Sequence, residues 1–210
     1  MNKCNICSEL NDDMVNIPSD YANIVKSKRN IILSSKDLVV LPSFGPLNNS
    51  HVMIVPRDHF FNFYSLSRDC SKQVEFLLDK LKEGFFNSFE EDLVFFESGA
   101  GANSNHSGGC IVHAHIHCVV QSKEFERSLF KEVELEEIND KTTFDVQKGY
   151  IWYKAADGKE YLKNNPLLPS QFLRYLYMQS SSTPASWNWR RNIDVGGMQS
   201  VIDTYRKIFI

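Results

Sequence analysis

Apolar residues in the first part of the chain fall into short runs that are separated by turn-forming residues. Between residues 30 and 56 there are three such runs, broken by Ser-Lys-Asp and by a connection rich in Pro, Gly and Asn. Short apolar runs bounded by such residues are typical of β-strands. The pattern therefore predicts strands near 30–34, 37–42 and 51–56, and a further strand in the run DLVFFES that begins at Asp92.

A helical spacing replaces this pattern between Ser71 and Phe86. Apolar residues here recur three or four positions apart, which places them on one face of a helix. They are Val74, Leu77, Leu78, Leu81 and Phe85. Asp69 or Ser71 is expected to cap the helix, since either side chain can accept a hydrogen bond from the first N–H groups. The segment therefore predicts a long amphipathic helix.

The second half of the chain predicts a mixture of helices and strand. The charged segment 123–138 is typical of a helix with a solvated face. The run YIWYKA predicts a strand that turns at Asp157-Gly158. Two further helices are predicted over 168–178 and 197–210. Strands, a helix, more strands and then helices favour an α+β fold with an antiparallel sheet.

Length and composition limit the class of protein. The 210 residues are 42% hydrophobic and 23% charged, which indicates one ordinary globular domain. No apolar run is long enough to cross a bilayer, and the N-terminus lacks the apolar region of a secretory signal. We therefore expect a cytoplasmic protein with reduced cysteines. The net charge of −3 argues against nonspecific binding to nucleic acid, whereas small anionic ligands remain compatible with it.

Two of the five cysteines, Cys4 and Cys7, form a Cys-X-X-Cys pair. In a chain expected to stay reduced, this spacing indicates a metal clip or a redox pair, and an accidental pair at a frayed terminus is a third interpretation. A redox pair is expected after a strand of a βαβ unit, whereas this pair begins close to the first residue. The metal interpretation needs two further ligands from elsewhere in the chain.

Three histidines alternate in the stretch VHAHIHCVV: His113, His115 and His117. On a strand they would project from one face, each about 6.6 Å from the next, while the small and apolar residues between them would face the core. Three interpretations compete. The histidines are satisfied surface or core residues, they form a zinc site, or a neutral imidazole among them is a nucleophile that attacks phosphorus.

Together these motifs resemble the histidine triad (HIT) family. VHAHIHCVV matches the family's His-X-His-X-His segment, SHVMIVPRDH is similar to its upstream segment with His51 and His59, and CNIC resembles the start of its zinc-containing members. The resemblance covers residues 1–121, which we predict to be a HIT-like catalytic domain, with 122–210 as a helical C-terminal extension packed on the same domain. The resemblance implies a five-stranded antiparallel sheet with a long helix, and a homodimer.

The resemblance also implies roles for individual residues. His115 matches the nucleophile, His117 would contact the phosphate or help to protonate the leaving group, and His113 would serve the active face or bind a metal. The implied metal site is a closed structural zinc site with two thiols and two imidazoles: Cys4, Cys7, His59 and His113. His51 is an alternative fourth ligand, although a hydrogen bond within the active face suits it better.

Substrate contacts are expected close to these histidines, where the chain departs from the family pattern. Gly109 and Cys110 stand where many members carry Gln and Ser, so phosphate contacts would fall to backbone N–H groups of the turn that begins at Gly108. Ser43 stands where relatives place an Asp or Asn for the ribose hydroxyls. Asn105, in the loop before the histidines, could substitute for that residue.

Aromatic and basic residues of the extension have two interpretations. Trp187 and Trp189 could stack a base, and Arg174, Arg190 or Arg191 could bind phosphate. The same side chains could instead serve packing and surface charge.

The expectation that results is a zinc-containing nucleotide hydrolase or nucleotidyltransferase. It would cleave a nucleotide or nucleotide conjugate at the α-phosphate through a nucleotidyl-histidine, with hydrolysis favoured over transfer. The alternative is a nucleotide-binding or scaffold protein that keeps the fold and the pocket but has no turnover.

Overall fold

The computed structural model describes residues 4–102, 113–139, 141–181 and 186–209. The helices are α1 (Asn5–Leu10), α2 (Ser19–Lys26), α3 (Arg68–Phe89), α4 (Lys123–Val133), α5 (Phe172–Gln179) and α6 (Val195–Phe209). The strands are β1 (Leu33–Ser34), β2 (Leu38–Pro42), β3 (Val52–Pro56), β4 (Leu93–Gly99), β5 (Ile116–Val120), β6 (Glu136–Glu137), β7 (Tyr150–Lys154) and β8 (Glu160–Asn164). None of the described helices is both long and apolar enough to cross a membrane.

The described strands form one antiparallel sheet in the order β1-β2-β3-β5-β4-β7-β8-β6. Its central strands are apolar on both faces because helices or chain segments cover both. β3 and β4 flank β5, so Met53 and Phe96 both lie directly opposite His117. The register therefore places the last histidine of the run in the middle of the sheet.

Helices α3 and α6 cover one face of the sheet. Leu81 of α3 and Tyr205 of α6 meet the strands in the largest core cluster. Ala114, Ile116 and Cys118 belong to the same cluster. The residues that alternate with the histidines thus face the helices, as expected, which leaves the histidines for the opposite side.

Helix α3 begins one turn before its apolar face. The hydroxyl of Ser67 accepts a hydrogen bond from the N–H of Cys70 at 3.3 Å and caps the helix. The expectation that Asp69 or Ser71 is the cap is therefore wrong. Asp69 instead lies in the first turn, where its negative charge interacts favourably with the helix dipole.

The α+β class, the antiparallel sheet and the long helix are confirmed. The sheet is wider than the five strands expected, because the segment after Gln121 adds β6, β7 and β8 besides its helices. β7 pairs with β4 over five residues, so β4 is an interior strand. The two outermost strands, β1 and β6, are two residues long each and leave little exposed sheet edge. The division of the chain at residue 121 stays a prediction.

A buried carboxyl group links β4 to β7 and to the segment before α3. Glu97 Oε1 accepts a hydrogen bond from the main-chain N–H of Phe63 at 2.9 Å, and Oε2 accepts one from the hydroxyl of Tyr150. Burial raises the pKa of Glu97 to about 8, against the lowering effect of these two hydrogen bonds. The carboxyl group is therefore mainly protonated in the folded protein at neutral pH.

Replacing Glu97 with Gln keeps the shape of the protonated carboxyl group and removes its titration. The folded wild type retains this proton between the ordinary pKa of 4.5 and the raised pKa of about 8. Its stabilising contribution is therefore complete below the ordinary pKa and is lost as the pH rises through the raised one. Relative to Glu97→Gln, we expect the wild type's free energy of unfolding to fall on the order of 2 kcal/mol between about pH 6 and pH 8. Urea unfolding of both proteins measures this, and a difference that does not change with pH would contradict it.

Candidate functional site

Two thiols and two imidazoles meet where α1 packs beside the residues that follow β3. Cys4 caps α1, with its sulfur accepting a hydrogen bond from the N–H of Cys7 at 3.4 Å. His59 follows β3, and His113 lies just before β5. One ligand atom from each of these four residues lies within 4.8 Å of the other three. The structure thus brings together the four residues expected to bind a metal.

The distances within this cluster and the tautomer of His113 suit a cation with tetrahedral coordination. The sulfur of Cys7 lies 3.2 Å from His59 Nδ1 and 3.4 Å from His113 Nδ1, and the sulfur of Cys4 lies 3.6 Å from His113 Nδ1. Sulfur and nitrogen ligands of a tetrahedral zinc ion are about 3.6 Å apart. His113 Nε2 donates to the carbonyl of Pro56 at 2.9 Å, so its Nδ1 presents a lone pair to the cluster.

The thiol of Cys7 needs a nearby cation to exist as a thiolate at neutral pH. Burial, followed by the hydrogen bond and charge of Cys4, raises the pKa of Cys7 to about 12. Zinc binds thiolates and neutral imidazoles, so it would hold both sulfurs in the deprotonated form. Cys70 and Cys118, the other described cysteines, are also free thiols, but they lie in the core. With four protein ligands the cluster has the composition of a structural zinc site.

The three histidines of the run lie in two different sites. β5 begins at Ile116, so His113 and His115 precede the strand, and the prediction of a strand across the whole run is wrong. The ring of His113 turns to the carbonyl of Pro56 and to the thiols. The rings of His115 and His117 instead lie together, with centroids 4.7 Å apart. One histidine of the run therefore belongs to the cluster and two belong to a second site.

A chain of hydrogen bonds sets the tautomer of His117. The main-chain N–H of Leu47 donates to His51 Nδ1 at 3.0 Å, so that nitrogen is an acceptor. Neutral His51 then carries its proton on Nε2, which donates to His117 Nδ1 at 2.8 Å. His117 in turn carries its proton on Nε2. Nε2 of His117, the ring nitrogen that does not contact His51, is therefore a hydrogen-bond donor.

The opposite tautomer is set for His115. Its Nδ1 lies 2.7 Å from the main-chain carbonyl of His113. A carbonyl oxygen can only accept a hydrogen bond, so Nδ1 carries the proton. Nε2 of His115 is left with a lone pair. His115 thus offers a nucleophile beside the proton donor of His117.

Burial keeps these imidazoles neutral. It lowers the pKa of His115, and it lowers the pKa values of His51 and His117 well below the usual range. The positive charge of Arg174 acts in the same direction on all of them. Neutral rings are the condition that the two tautomers require.

His115 and His117 line an open pocket of about 570 Å³, a volume that includes the solvent at its mouth. Its walls are mostly apolar and aromatic, with Phe96 from the sheet, Phe172 from α5 and Trp189 from the segment before α6. Small-molecule sites typically combine such walls with a few polar groups. The lining of the pocket is therefore of a character that suits a ligand.

Other residues named from the sequence fall in different places. Ser43 lines the pocket, and His51 lies behind His117 rather than in the metal cluster. Asn105 and the turn from Gly108 through Gly109 to Cys110 lie outside the described residues.

The extension contributes some of its candidate residues to the pocket and not others. Arg174 and Trp189 line it. Trp187 packs in a neighbouring core cluster, and its carbonyl accepts a hydrogen bond from Arg174 Nε at 2.9 Å. Arg190 and Arg191 are exposed side chains.

Sequence reasoning missed several residues of the pocket, among them Phe44, Phe96 and Gln171. Phe96 alternates regularly within its strand, but its place beside His117 depends on which strands pair. Gln171 has a left-handed backbone with φ of 62° just before α5, a conformation that a glutamine does not signal in sequence.

Comparisons with known proteins agree with this fold. The family model described as "Protein similar to CwfJ C-terminal" matches residues 20–132, more than half of the chain. No curated protein matches the sequence significantly. The predicted resemblance to histidine triad proteins is confirmed.

Several solved structures are similar to this chain at low identity. A HIT family member from Bacillus subtilis is 17% identical, with 57% of this chain and 74% of that chain covered and a TM-score of 0.42. A zinc-bound histidine triad family protein from Mycobacterium smegmatis is 10% identical, with 58% and 76% covered and a TM-score of 0.43. Plasmodium falciparum diadenosine triphosphate hydrolase in complex with cyclomarin A is 16% identical, with 46% and 63% covered and a TM-score of 0.41.

Cys7→Ser should abolish zinc binding by the cluster, because an alcohol does not replace a thiolate ligand. We expect the wild type to bind about one zinc ion per chain and the variant far less. Cys70→Ala, which removes a thiol outside the cluster, should retain the metal. A chelator should lower the melting temperature of the wild type and of Cys70→Ala, and affect Cys7→Ser little. Elemental analysis and thermal unfolding measure these effects, and equal zinc contents in wild type and Cys7→Ser would refute the assignment.

Proposed function

The chain belongs to the family of proteins similar to the CwfJ C-terminal region, and from its histidine pocket we propose that it is a nucleotide hydrolase or nucleotidyltransferase. The reaction would cleave a nucleotide or nucleotide conjugate at the α-phosphate. The observation that carries the proposal is the pair of opposite tautomers, His115 with a lone pair on Nε2 and His117 with a proton on Nε2. Substitution at phosphorus needs such a nucleophile next to a proton donor.

In the first half-reaction His115 Nε2 attacks the α-phosphorus. The P–N bond forms while the bond from phosphorus to the leaving-group oxygen breaks, and that oxygen leaves with the bonding electron pair, stabilised by a hydrogen bond from the N–H of His117 Nε2. His115 becomes a nucleotidylated imidazolium, whose Nδ1–H still donates to the carbonyl of His113. This hydrogen bond strengthens as positive charge develops on the ring, so it stabilises the intermediate more than the free enzyme.

In the second half-reaction an oxygen nucleophile attacks the same phosphorus atom. The attacking group loses its proton to solvent, and the P–N bond breaks with its electron pair returning to Nε2, which restores neutral His115. Water as the nucleophile gives hydrolysis, and a phosphorylated acceptor gives transfer. We favour hydrolysis because water needs no second binding site.

The cluster of two thiols and two imidazoles would support this reaction structurally. Bound zinc would supply a fixed four-ligand centre that joins the N-terminal segment to the sheet. His113 belongs to both sites, since its ring lies in the cluster and its carbonyl orients His115. Holding the ring of His113 therefore restrains the backbone that positions the nucleophile.

A non-catalytic nucleotide-binding or scaffold protein is the alternative function. Gly109 and Cys110 favour it, because many histidine triad hydrolases carry Gln and Ser at these positions. This alternative expects nucleotide to bind without being cleaved, so turnover separates the two functions.

The proposal also includes a cytoplasmic location, as expected from the sequence, and a homodimer, which the resemblance implies. Both outermost strands of the described sheet are only two residues long. A dimer would therefore form through helices or through a face of the molecule rather than by joining sheet edges.

His115→Asn removes the nucleophile and leaves an amide near the carbonyl of His113. We expect turnover of adenosine phosphoramidate, dinucleoside polyphosphates or nucleotide sugars to fall by about a thousandfold or more. Zinc content and melting temperature should stay close to those of the wild type, which excludes unfolding as the cause. Equal activity of the two proteins, or a wild type that turns over none of the three substrate classes, would show that the catalytic proposal is wrong.

His51→Asn removes the hydrogen bond that sets the tautomer of His117. The hydrogen bond from His117 Nε2 to the leaving-group oxygen should then be lost or weakened, with kcat falling by about 10- to 100-fold and KM changing little. Zinc content should not change, because His51 lies with His117 and outside the metal cluster. Steady-state kinetics and metal analysis together test this. Loss of zinc from the variant would instead support His51 as the fourth metal ligand.

A further inference from the structure

One wall of the histidine pocket comes from the C-terminal part of the chain. Gln171, Phe172, Leu173, Arg174 and Trp189 line it. All five residues lie beyond residue 132, where the match to the family model ends. The reactive histidines and this wall therefore come from separate segments that meet only in the folded chain.

Arg174 of α5 brings a guanidinium group into this wall. The residue is 3% exposed, and its orientation is set by hydrogen bonds from three nitrogens. Nε donates to the carbonyl of Trp187 at 2.9 Å, Nη1 donates to the hydroxyl of Ser43 at 3.1 Å, and Nη2 donates to the carbonyl of Gly45. A planar guanidinium held in this way is preorganised, so little rotamer entropy is lost when it interacts with a ligand.

The pocket has a positive electrostatic character. Among the described residues that line it, Arg174 carries the one permanent charge, and none of them is a carboxylate. Arg174 is buried, and a buried cation in the wall of a pocket favours an anionic ligand.

We propose that Arg174 selects for the phosphate group of the ligand, so that the pocket binds a nucleoside monophosphate in preference to the nucleoside. This inference rests on the proposed function, which requires a phosphate beside His115. It assigns the phosphate attraction to α5, which lies beyond the segment matched by the family model. The competing explanation is that Arg174 only ties α5 to residues 43–45.

Matched ligand pairs test the proposal on the zinc-loaded full-length chain. Calorimetry would compare AMP with adenosine and GMP with guanosine. The wild type should bind the phosphorylated member of at least one pair about tenfold or more tightly than its nucleoside. Arg174→Met should reduce this preference to about threefold or less and leave nucleoside affinity nearly unchanged. Arg174→Lys should retain part of the preference, since it keeps the charge and loses the planar group. Arg127→Met, an exposed position on α4, should behave as the wild type.

Each contrary result has a distinct meaning. If Arg174→Met weakens both members of a pair equally, the residue is only structural and the inference is wrong. If the variant keeps the full preference, the inference is wrong while the proposed reaction stands. A wild type that shows no preference overturns the inference without any variant, so a variant that fails to fold does not protect it. A preference that depends on Arg174, in a protein without turnover, would contradict the catalytic proposal alone.

Discussion

The hydrogen bond from His115 Nδ1 to the main-chain carbonyl of His113 is the contact on which the site depends. At 2.7 Å it sets the tautomer of the ring and leaves the lone pair on Nε2. The acceptor of this hydrogen bond belongs to His113, whose own ring lies in the cluster of thiols and imidazoles. Chemistry at His115 is thereby coupled to the geometry of His113 through one shared residue.

The rest of the fold holds the two ends of this arrangement. The carbonyl of Pro56, at the end of β3, accepts a hydrogen bond from the ring of His113 and turns its other nitrogen to the thiols. In the middle of the sheet, His117 lies between Met53 and Phe96 and receives the hydrogen bond of His51. The C-terminal segment completes the pocket and joins its own strands to β4. The sheet, the metal cluster and the C-terminal segment thus together position the ring nitrogens of His113, His115 and His117.

The strands β2, β3, β4 and β7, the long helix and the fold class were predictable, because short apolar runs and three-to-four spacing follow from backbone geometry. Motif spacing and the family resemblance also predicted which four residues gather at the cluster. The tautomers were not predictable, since they depend on the N–H of Leu47 and on the carbonyls of Pro56 and His113, groups that every sequence offers. Which of the three candidate arginines lines the pocket was equally unpredictable, because the contact of Arg174 with Ser43 joins positions 131 residues apart.

Nitrogen-15 NMR of the imidazole rings in the zinc-loaded protein at neutral pH would reveal both tautomers, because long-range couplings report which nitrogen of each ring carries the proton. We expect His115 to be protonated on Nδ1 and His117 on Nε2, with both rings neutral. Protonation of His115 on Nε2, or an imidazolium at either position, would contradict this expectation.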